Sequence, residues 1–213
     1  MKTNIIKEIG GFRPEYDGSQ DYDLMFRCIE SADSIKHIPM ILYHWRIHMN
    51  SVAGDPASKM YAYDAGKRAI EDHFKRIGVK AKVEHTGLWG MYHVIYETPG
   101  NPLVSIIIPN DLDKCVKSII NKSEYKNIEF IIVENNSTED KTFAYYEKLQ
   151  KEYENVKIVK WEEGFNYSAI NNYGVSFAKG EYLLFLNNDT EMITPTAINE
   201  LLGCCMREDV GVV

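Results

Sequence analysis

The second half of the chain alternates strand patterns with helix patterns four times, and this alternation limits the fold more than any other feature. Continuous apolar runs at residues 104–109 and 130–133 are typical of strands covered on both faces. Two further strand patterns follow at residues 156–160 and 182–186. Strands that alternate with helices imply a parallel sheet with helices on both faces. The sequence therefore predicts an α/β fold with a mostly parallel, Rossmann-like sheet.

Helix patterns follow each of these strands. Asp111 can cap the first helix, and Ser137 with Asp140 fits a capping box for the second. The chain then closes on an apolar stretch, residues 210–213, that predicts a further strand. The four predicted helices cover residues 112–120, 137–153, 167–178 and 195–206.

The first half of the chain has a different pattern. A helix is predicted from Gln20 to about Ser31, with Leu24, Met25, Cys28 and Ile29 on its buried side. Residues 39–48 predict a strand, with Tyr43, Trp45 and Ile47 on one face and His44, Arg46 and His48 on the other. A second helix at 59–77, a small hairpin at 79–96 and a boundary at 98–102 follow. These patterns predict three parts, residues 1–55, 56–100 and 101–213.

Composition excludes several classes of function. The 24 Lys and Arg residues against 31 Asp and Glu residues give a net charge of −7, and no basic block occurs, which argues against nucleic acid as a partner. No apolar run approaches the ~20 residues of a membrane span. The four cysteines form no C-x-x-C pair. These features predict a soluble, reduced, intracellular protein.

Polar side chains follow the predicted strands, at the sheet edge where parallel α/β sheets bind ligands. Neither a G-x-G-x-x-G nor a P-loop motif is present, so the dinucleotide and P-loop classes are excluded. Carboxylates and amides repel a phosphate unless a divalent cation lies between them, and oxygen ligands suit Mg²⁺ or Mn²⁺. A metal-bridged nucleotide diphosphate is therefore the expected ligand. The polar segments are residues 109–110, 134–136, 161–163 and 187–189.

Four segments of the second half, in this order, resemble the nucleotide-binding half of family 2 glycosyltransferases, which have the GT-A fold and use nucleotide-activated sugars. They are residues 104–109, 131–138, 165–174 and 180–190. Three segments of the first half resemble the acceptor-binding half of the same family, namely residues 10–12, 18–24 and 43–48.

The resemblance implies a role for each matching residue of the nucleotide half. Glu134 and Asn135 stand where the family contacts the nucleotide base and ribose, next to Pro109 at the end of the first strand. Asn187 and Asn188, with Asp189, stand at the D-x-D metal motif, where Asn187 replaces the first acid. Asp189 is the implied ligand of Mn²⁺ or Mg²⁺. A nucleotide-contacting acid normally follows the first strand; either Asp111 replaces it, or residues are missing there.

In the acceptor half the resemblance implies that Asp21 is the catalytic base, with Asp23 as the second candidate. His48 falls near a histidine that completes the metal shell in some relatives. His44 and His48 lie four residues apart, but a strand with no third ligand does not fit zinc.

The halves stand in reverse order compared with the family, which suggests a piece running from the end of one transferase module into the next. We expect residues 1–55 to dock on residues 101–213 and so form a GT-A domain with permuted halves. Docking can occur within one chain or by exchange between two chains, giving a domain-exchanged homodimer. Asp21 would then approach Asp189 to within about 10 Å across one cleft.

Each candidate residue also has a plain structural interpretation. Asp189 can cap a turn, and Asp21 can be an acid that the dipole of a helix N-terminus favours. For Glu134 and Asn135, base recognition and turn capping fit equally well. The aromatic residues Trp161 and Tyr167 fit packing better than sugar stacking.

The sequence thus predicts an inverting glycosyltransferase that acts in surface polysaccharide synthesis. The resemblance implies a nucleotide-diphosphate sugar as donor and a saccharide or lipid-linked saccharide as acceptor. It also implies a cytoplasmic location, with peripheral association at the inner face of the membrane. One alternative is a non-catalytic nucleotide-sugar-binding or scaffold fragment. Another is a nucleotidyltransferase, which would need a lysine or arginine in the turn after the first strand, and residues 109–111 contain neither.

Overall fold

The structure is a computed structural model that describes residues 1–44, 60–110 and 114–213. These residues form two compact units, Met1–Glu97 and Thr98–Val213, called here the N-terminal unit and the C-terminal unit. Among the described helices, none combines the length and the apolar character needed to cross a membrane.

The C-terminal unit confirms the predicted α/β fold. Its elements in chain order are β3 (Val104–Pro109), α4 (Cys115–Lys122), β4 (Ile128–Asn135), α5 (Asp140–Glu152), β5 (Val156–Trp161), α6 (Tyr167–Val175), β6 (Tyr182–Phe185) and α7 (Ala197–Cys205). The four strands are all parallel and lie in the order β5-β4-β3-β6. Ile106 of β3 lies opposite Phe130 of β4 and Leu184 of β6 in the register of the sheet.

Helices cover both faces of this sheet because successive strand residues point to opposite sides. On one face, Ile106 and Phe130 pack in a cluster with residues of α4, α5 and α7. On the other face, Ile107 and Ile131 pack against Ile170 of α6. Both faces of the two central strands are therefore buried, as the continuous apolar runs predict.

The edge strand β6 is less covered than the central strands. Its residues Leu183 and Phe185 are 41% and 48% exposed. Phe185 pairs in register with Ile107, so it lies on the α6 face, and α6 contacts β3, β4 and β5 there. The predicted strand at 210–213 is not formed, although these residues line a groove of about 620 Å³ beside β6. They do not pair with that edge, so they lack the backbone hydrogen bonds that define a strand.

The N-terminal unit contains a helix pair and a hairpin. The elements are α1 (Thr3–Glu8), a 3₁₀ turn (Pro14–Tyr16), α2 (Gln20–Glu30), α3 (Met60–Ile77), β1 (Ala81–His85) and β2 (Tyr92–Tyr96). Helix α2 packs on α3, and the antiparallel hairpin packs on α3 through β1, with Val83 against Ile70 and Phe74. This confirms the predicted helices and hairpin.

Two expectations for this unit are wrong. The buried side of α2 carries Asp23, Leu24, Arg27 and Cys28, whereas the predicted Met25 and Ile29 are 47% and 42% exposed. The predicted strand is absent at residues 39–44, because no described strand pairs with them. Its remaining residues, 45–48, lie outside the described part of the chain.

A close approach of backbones at Gly180 gives a test of the sheet. A Cβ placed there would lie 2.6 Å from the carbonyl oxygen of Leu103 and 2.7 Å from the main-chain nitrogen of Ser105. Because these backbone atoms belong to or adjoin β3, they cannot move aside. We expect Gly180→Ala to lower the free energy of unfolding by about 1–3 kcal/mol. Urea unfolding measures this, with Gly164→Ala as control, since a Cβ at Gly164 meets nothing within 4 Å. Equal stability of the two variants would contradict the prediction.

Candidate functional site

The carboxyl edge of the sheet in the C-terminal unit has a topological switch point between β3 and β6. The chain runs from β3 to β4 and β5 on one side and then returns to add β6 on the other. Crevices at such points are where open α/β sheets bind ligands. The residues at the carboxyl ends of the strands, and those just after them, are called here the rim. They are Pro109, Asn110, 134–137, 161–163 and 187–190.

Asn110 ties the ends of β3 and β4 together. Its side-chain oxygen accepts a hydrogen bond from the main-chain nitrogen of Asn135 at 2.8 Å, and its own N–H donates to the carbonyl of Val133 at 2.9 Å. Asn110 and Asn136 both have positive φ, 53° and 54°, a conformation that asparagine tolerates better than other side-chain-bearing residues. The neighbouring Pro109 is half-buried at the end of β3.

Glu134 and Asn135 shape the rim through contacts with their own loops. Glu134 is 3% exposed, and its carboxylate accepts the main-chain N–H of Ser137 at 2.6 Å. The Asn135 side chain donates to the carbonyls of Trp161 at 3.2 Å and Glu163 at 3.0 Å. The structure thus shows the turn-capping contacts, and contact of these two residues with a nucleotide stays a prediction.

The segment after β6 holds the proposed metal motif. Asn187 accepts a hydrogen bond from the Tyr167 hydroxyl at 3.1 Å through its side chain, and one from the Thr190 hydroxyl at 2.8 Å through its carbonyl. Asn188 is half-buried. Asp189 is exposed, and its carboxylate has no ion pair or hydrogen bond to the residues that the structure describes. It is therefore available to a ligand.

The two aromatic residues assigned to packing behave differently. Trp161 packs against Tyr173, with ring centroids 5.3 Å apart, as expected. Tyr167 is 47% exposed and places its hydroxyl on Asn187. The sequence did not indicate this contact of Tyr167 with the rim, because Asn187 lies 20 residues away along the chain.

The side chains available as metal ligands fit a cation that binds together with the nucleotide diphosphate. Within the described ranges, no three His, Cys, Asp or Glu side chains group together to hold a metal ion. Asp189 supplies one carboxylate without a partner among the described residues, and Mg²⁺ commonly binds one or two carboxylates plus substrate phosphates and water. The other metal candidate, His48, and the alternative acid Asp111 lie outside the described residues.

The structure separates the two candidate bases on α2. Asp21 is exposed, and its carboxylate accepts only the main-chain N–H of Tyr22 at 2.9 Å among described residues. Asp23 is fully buried and bound by Arg13 and by Arg27 at 2.7 Å. Asp23 as the second candidate base is wrong, because both of its oxygens are occupied and closed off from an acceptor.

Burial raises the pKa of Asp23, but hydrogen bonds from Arg13 and Arg27 and their charges outweigh it and hold the pKa below its ordinary value. Arg27 also donates to the carbonyls of Ile9 and Gly11, both at 2.7 Å. Asp23 and Arg27 therefore fix the glycine turn before α2. The sequence signal for this buried pair is an acid and an arginine four residues apart, Asp23 and Arg27, next to the apolar residues of the helix.

Asp21 lies in the N-terminal unit and the rim lies in the C-terminal unit. The expected approach of Asp21 to Asp189, the docking of residues 1–55 and the exchanged dimer stay predictions.

Comparisons with known proteins find a family model that matches most of the C-terminal unit and relatives that match nearly the whole chain. The model of "Glycosyl transferase family 2" matches residues 105–213. The chain is 36% identical over 98% of its length to "Uncharacterized protein y4gI" of Sinorhizobium fredii, and 38% identical over its whole length to "O-antigen biosynthesis protein RfbC" of Myxococcus xanthus. It spans 24% and 17% of the lengths of these two relatives.

Among the solved structures that match the chain is that of a mannosyltransferase from Pyrobaculum calidifontis in complex with GDP-Man and Mn²⁺. It is 16% identical with a TM-score of 0.47, and the match covers 73% of this chain and 44% of that one.

Proposed function

Because the chain belongs to glycosyltransferase family 2, we propose that it takes part in transferring a sugar from a nucleotide-diphosphate sugar to a saccharide acceptor, with inversion. The product we propose is a surface polysaccharide. Its support is the relative whose name refers to O-antigen biosynthesis, of which this chain spans 17%. A saccharide or lipid-linked saccharide at the inner face of the membrane is the acceptor that fits such a product.

The observation that carries this proposal is the free carboxylate of Asp189 at the switch point of the sheet. The rim around it offers amide groups and carboxylates and contains no lysine or arginine. Lys160, which precedes it in β5, pairs with Glu162 at 3.2 Å. A diphosphate therefore needs a divalent cation at this edge. We propose Asp189, whose carboxylate has no partner among the described residues, to hold Mn²⁺ or Mg²⁺, which when bound would neutralise charge on the departing diphosphate.

Other residues of the chain would bind the nucleotide and accept the proton of the acceptor. Glu134, Asn135 and Pro109 would line the nucleotide, with the loops held by the contacts described above. Asp21 would accept the proton of the acceptor hydroxyl while the oxygen of that hydroxyl bonds to the anomeric carbon of the donor sugar. The bond from that carbon to the phosphate oxygen breaks in the same step, and the nucleotide diphosphate leaves.

The test is the metal dependence of nucleotide binding. We expect UDP, GDP or dTDP to bind the wild type about tenfold or more tightly with Mn²⁺ than with EDTA, and we expect Asp189→Ala to abolish that difference, because the cation loses its protein carboxylate. Isothermal titration calorimetry measures both affinities.

The matched control is Glu191→Ala, which removes an exposed acid two residues away that pairs with Lys122 at 2.7 Å. This variant should keep the metal dependence. Equal affinity of the wild type with and without Mn²⁺, or an unchanged metal dependence in Asp189→Ala, would contradict the proposal. Metal-dependent binding without sugar transfer by the full-length protein would instead favour the non-catalytic alternative.

A further inference from the structure

Ser19 occupies the N-cap position of α2, but its side chain does not cap that helix. An N-cap serine usually accepts a main-chain N–H from the first turn of its own helix. Here the half-buried Ser19 hydroxyl donates a hydrogen bond to the carbonyl of Ala62 in α3, at 2.7 Å. The start of α2, two residues before Asp21, is therefore tied to a neighbouring helix.

A glycine of α3 makes this contact possible. Gly66 lies one turn after Ala62, inside an 18-residue helix, where glycine is normally disfavoured. A Cβ at Gly66 would lie 3.3 Å from the Ser19 hydroxyl and would collide with the hydroxyl of Tyr92. The absence of a side chain at Gly66 thus leaves room for the Ser19 hydroxyl beside the backbone of α3.

Gly18 brings its own backbone against the same surface of α3. Its φ is +91°, in the left-handed region that favours glycine. A Cβ there would lie 2.7 Å from the Cβ of Ala62 and 2.8 Å from the ring of Tyr61. The main-chain N–H of Gly18 also donates to the side chain of Gln20 at 2.8 Å. The turn that leads into α2 thus has a defined position on α3.

The position of Asp21 follows from this turn. Its exposed carboxylate accepts the main-chain N–H of Tyr22 at 2.9 Å, so its direction depends on the first turn of α2. A general base works only within hydrogen-bond reach of the proton that it removes, and a misplacement of about 1 Å can cost about 10²-fold in rate. A contact that fixes the first turn of α2 therefore affects the rate.

We propose that Ser19 is a positioning residue for Asp21 and that α3 is the support on which it acts. The inference rests on the proposed function, in which Asp21 accepts the proton of the acceptor hydroxyl. The bond from Ser19 to Ala62 holds the first turn of α2 where the Asp21 carboxylate can meet that hydroxyl. Helix α3 lies outside the segments that resemble the acceptor half of the family, so it adds a new element to the acceptor site.

The kinetics of the full-length protein test this role. The measurement is the release of nucleotide diphosphate from the nucleotide sugar whose diphosphate binds best. Ser19→Ala should lower kcat about tenfold at an unchanged donor KM, because the base is displaced and the nucleotide contacts are not. Ser19→Thr keeps a hydroxyl and should recover most of the wild-type kcat. The matched control is Ser31→Ala, which removes an exposed hydroxyl at the other end of α2 and should behave like the wild type.

A double-mutant cycle separates positioning from a general loss of stability. In the Asp21→Asn background, Ser19→Ala should change kcat by less than about twofold, because no base is left to position. Hydrogen exchange of α2 peptides should show that α2 in the Ser19→Ala variant keeps a protection close to that of the wild type.

The inference and the proposed function fail in different ways. The inference is overturned, and the proposed function stands, if Ser19→Ala keeps the wild-type kcat or if Ser19→Thr is as slow as Ser19→Ala. It is also overturned if Ser19→Ala lowers kcat equally in both backgrounds, or if α2 loses its protection. If the wild type releases no diphosphate, or if Asp21→Asn keeps the wild-type rate, the proposed function itself is overturned.

Discussion

Asp23→Ala is expected to lower the free energy of unfolding of the N-terminal unit by about 3–5 kcal/mol, the usual effect of removing one partner from a buried ion pair. The Asp23 carboxylate is fully buried and binds two guanidinium groups. Without it, Arg27, which is 6% exposed, keeps a buried charge with no carboxylate beside it. The turn at Ile9 and Gly11 would loosen with it.

Hydrogen exchange of α2 peptides followed by mass spectrometry measures this loss in the unit where it occurs. The control is Asp21→Ala, which changes an exposed acid two residues earlier on the same helix and should cost less than about 0.5 kcal/mol. If the two variants exchange at the same rate, Asp23 does not support the unit and the prediction fails.

The pKa of Asp23 adds a dependence on pH to this result. Burial raises that pKa, but Arg13 and Arg27 together hold it below its ordinary value. The unfolded chain therefore binds the proton first as the pH falls, and the stabilisation is complete above the unfolded pKa of about 3.9. It is lost as the pH falls through the lower folded pKa. The difference in stability between the wild type and Asp23→Ala should shrink below about pH 4.

The same residues show where the sequence was informative about the fold. Residues 104–109 and 130–133 predict buried strands well, because continuous apolar runs fit few other surroundings. The buried side of α2 could not be predicted by counting apolar residues. Asp23 and Arg27 occupy it because each neutralises the other, and Met25 and Ile29 are turned outward as a result.

The location of the rim was predictable, since parallel strands bring their carboxyl ends to one edge of the sheet. The partners of its side chains were not. Glu134 binds a nearby main-chain N–H, Asn135 bridges to Glu163, and Asn187 binds Tyr167, so two of the three contacts join segments at least 20 residues apart. Such contacts depend on the tertiary fold, and no local pattern in the sequence indicates them.

For activity, the largest expected effect is that of Asp21→Asn, which should lower kcat by about 10²- to 10⁴-fold, the usual contribution of a general base. An asparagine amide cannot accept the proton of an acceptor hydroxyl at neutral pH, whereas the exposed Asp21 carboxylate can. The donor KM should hardly change, because the residues that we propose for the donor belong to the C-terminal unit. A fall in kcat at constant KM indicates an interaction made only in the transition state.

Sugar transfer by the full-length protein, measured with the nucleotide sugar whose diphosphate binds best, tests this prediction. The control is Asp17→Asn, which changes another exposed acid shortly before α2 and should keep the wild-type rate. Asp23 cannot replace Asp21, because Arg13 and Arg27 occupy both of its oxygens and solvent does not reach it. An Asp21→Asn variant that keeps more than about a tenth of the wild-type rate would therefore show that the base is neither Asp21 nor Asp23.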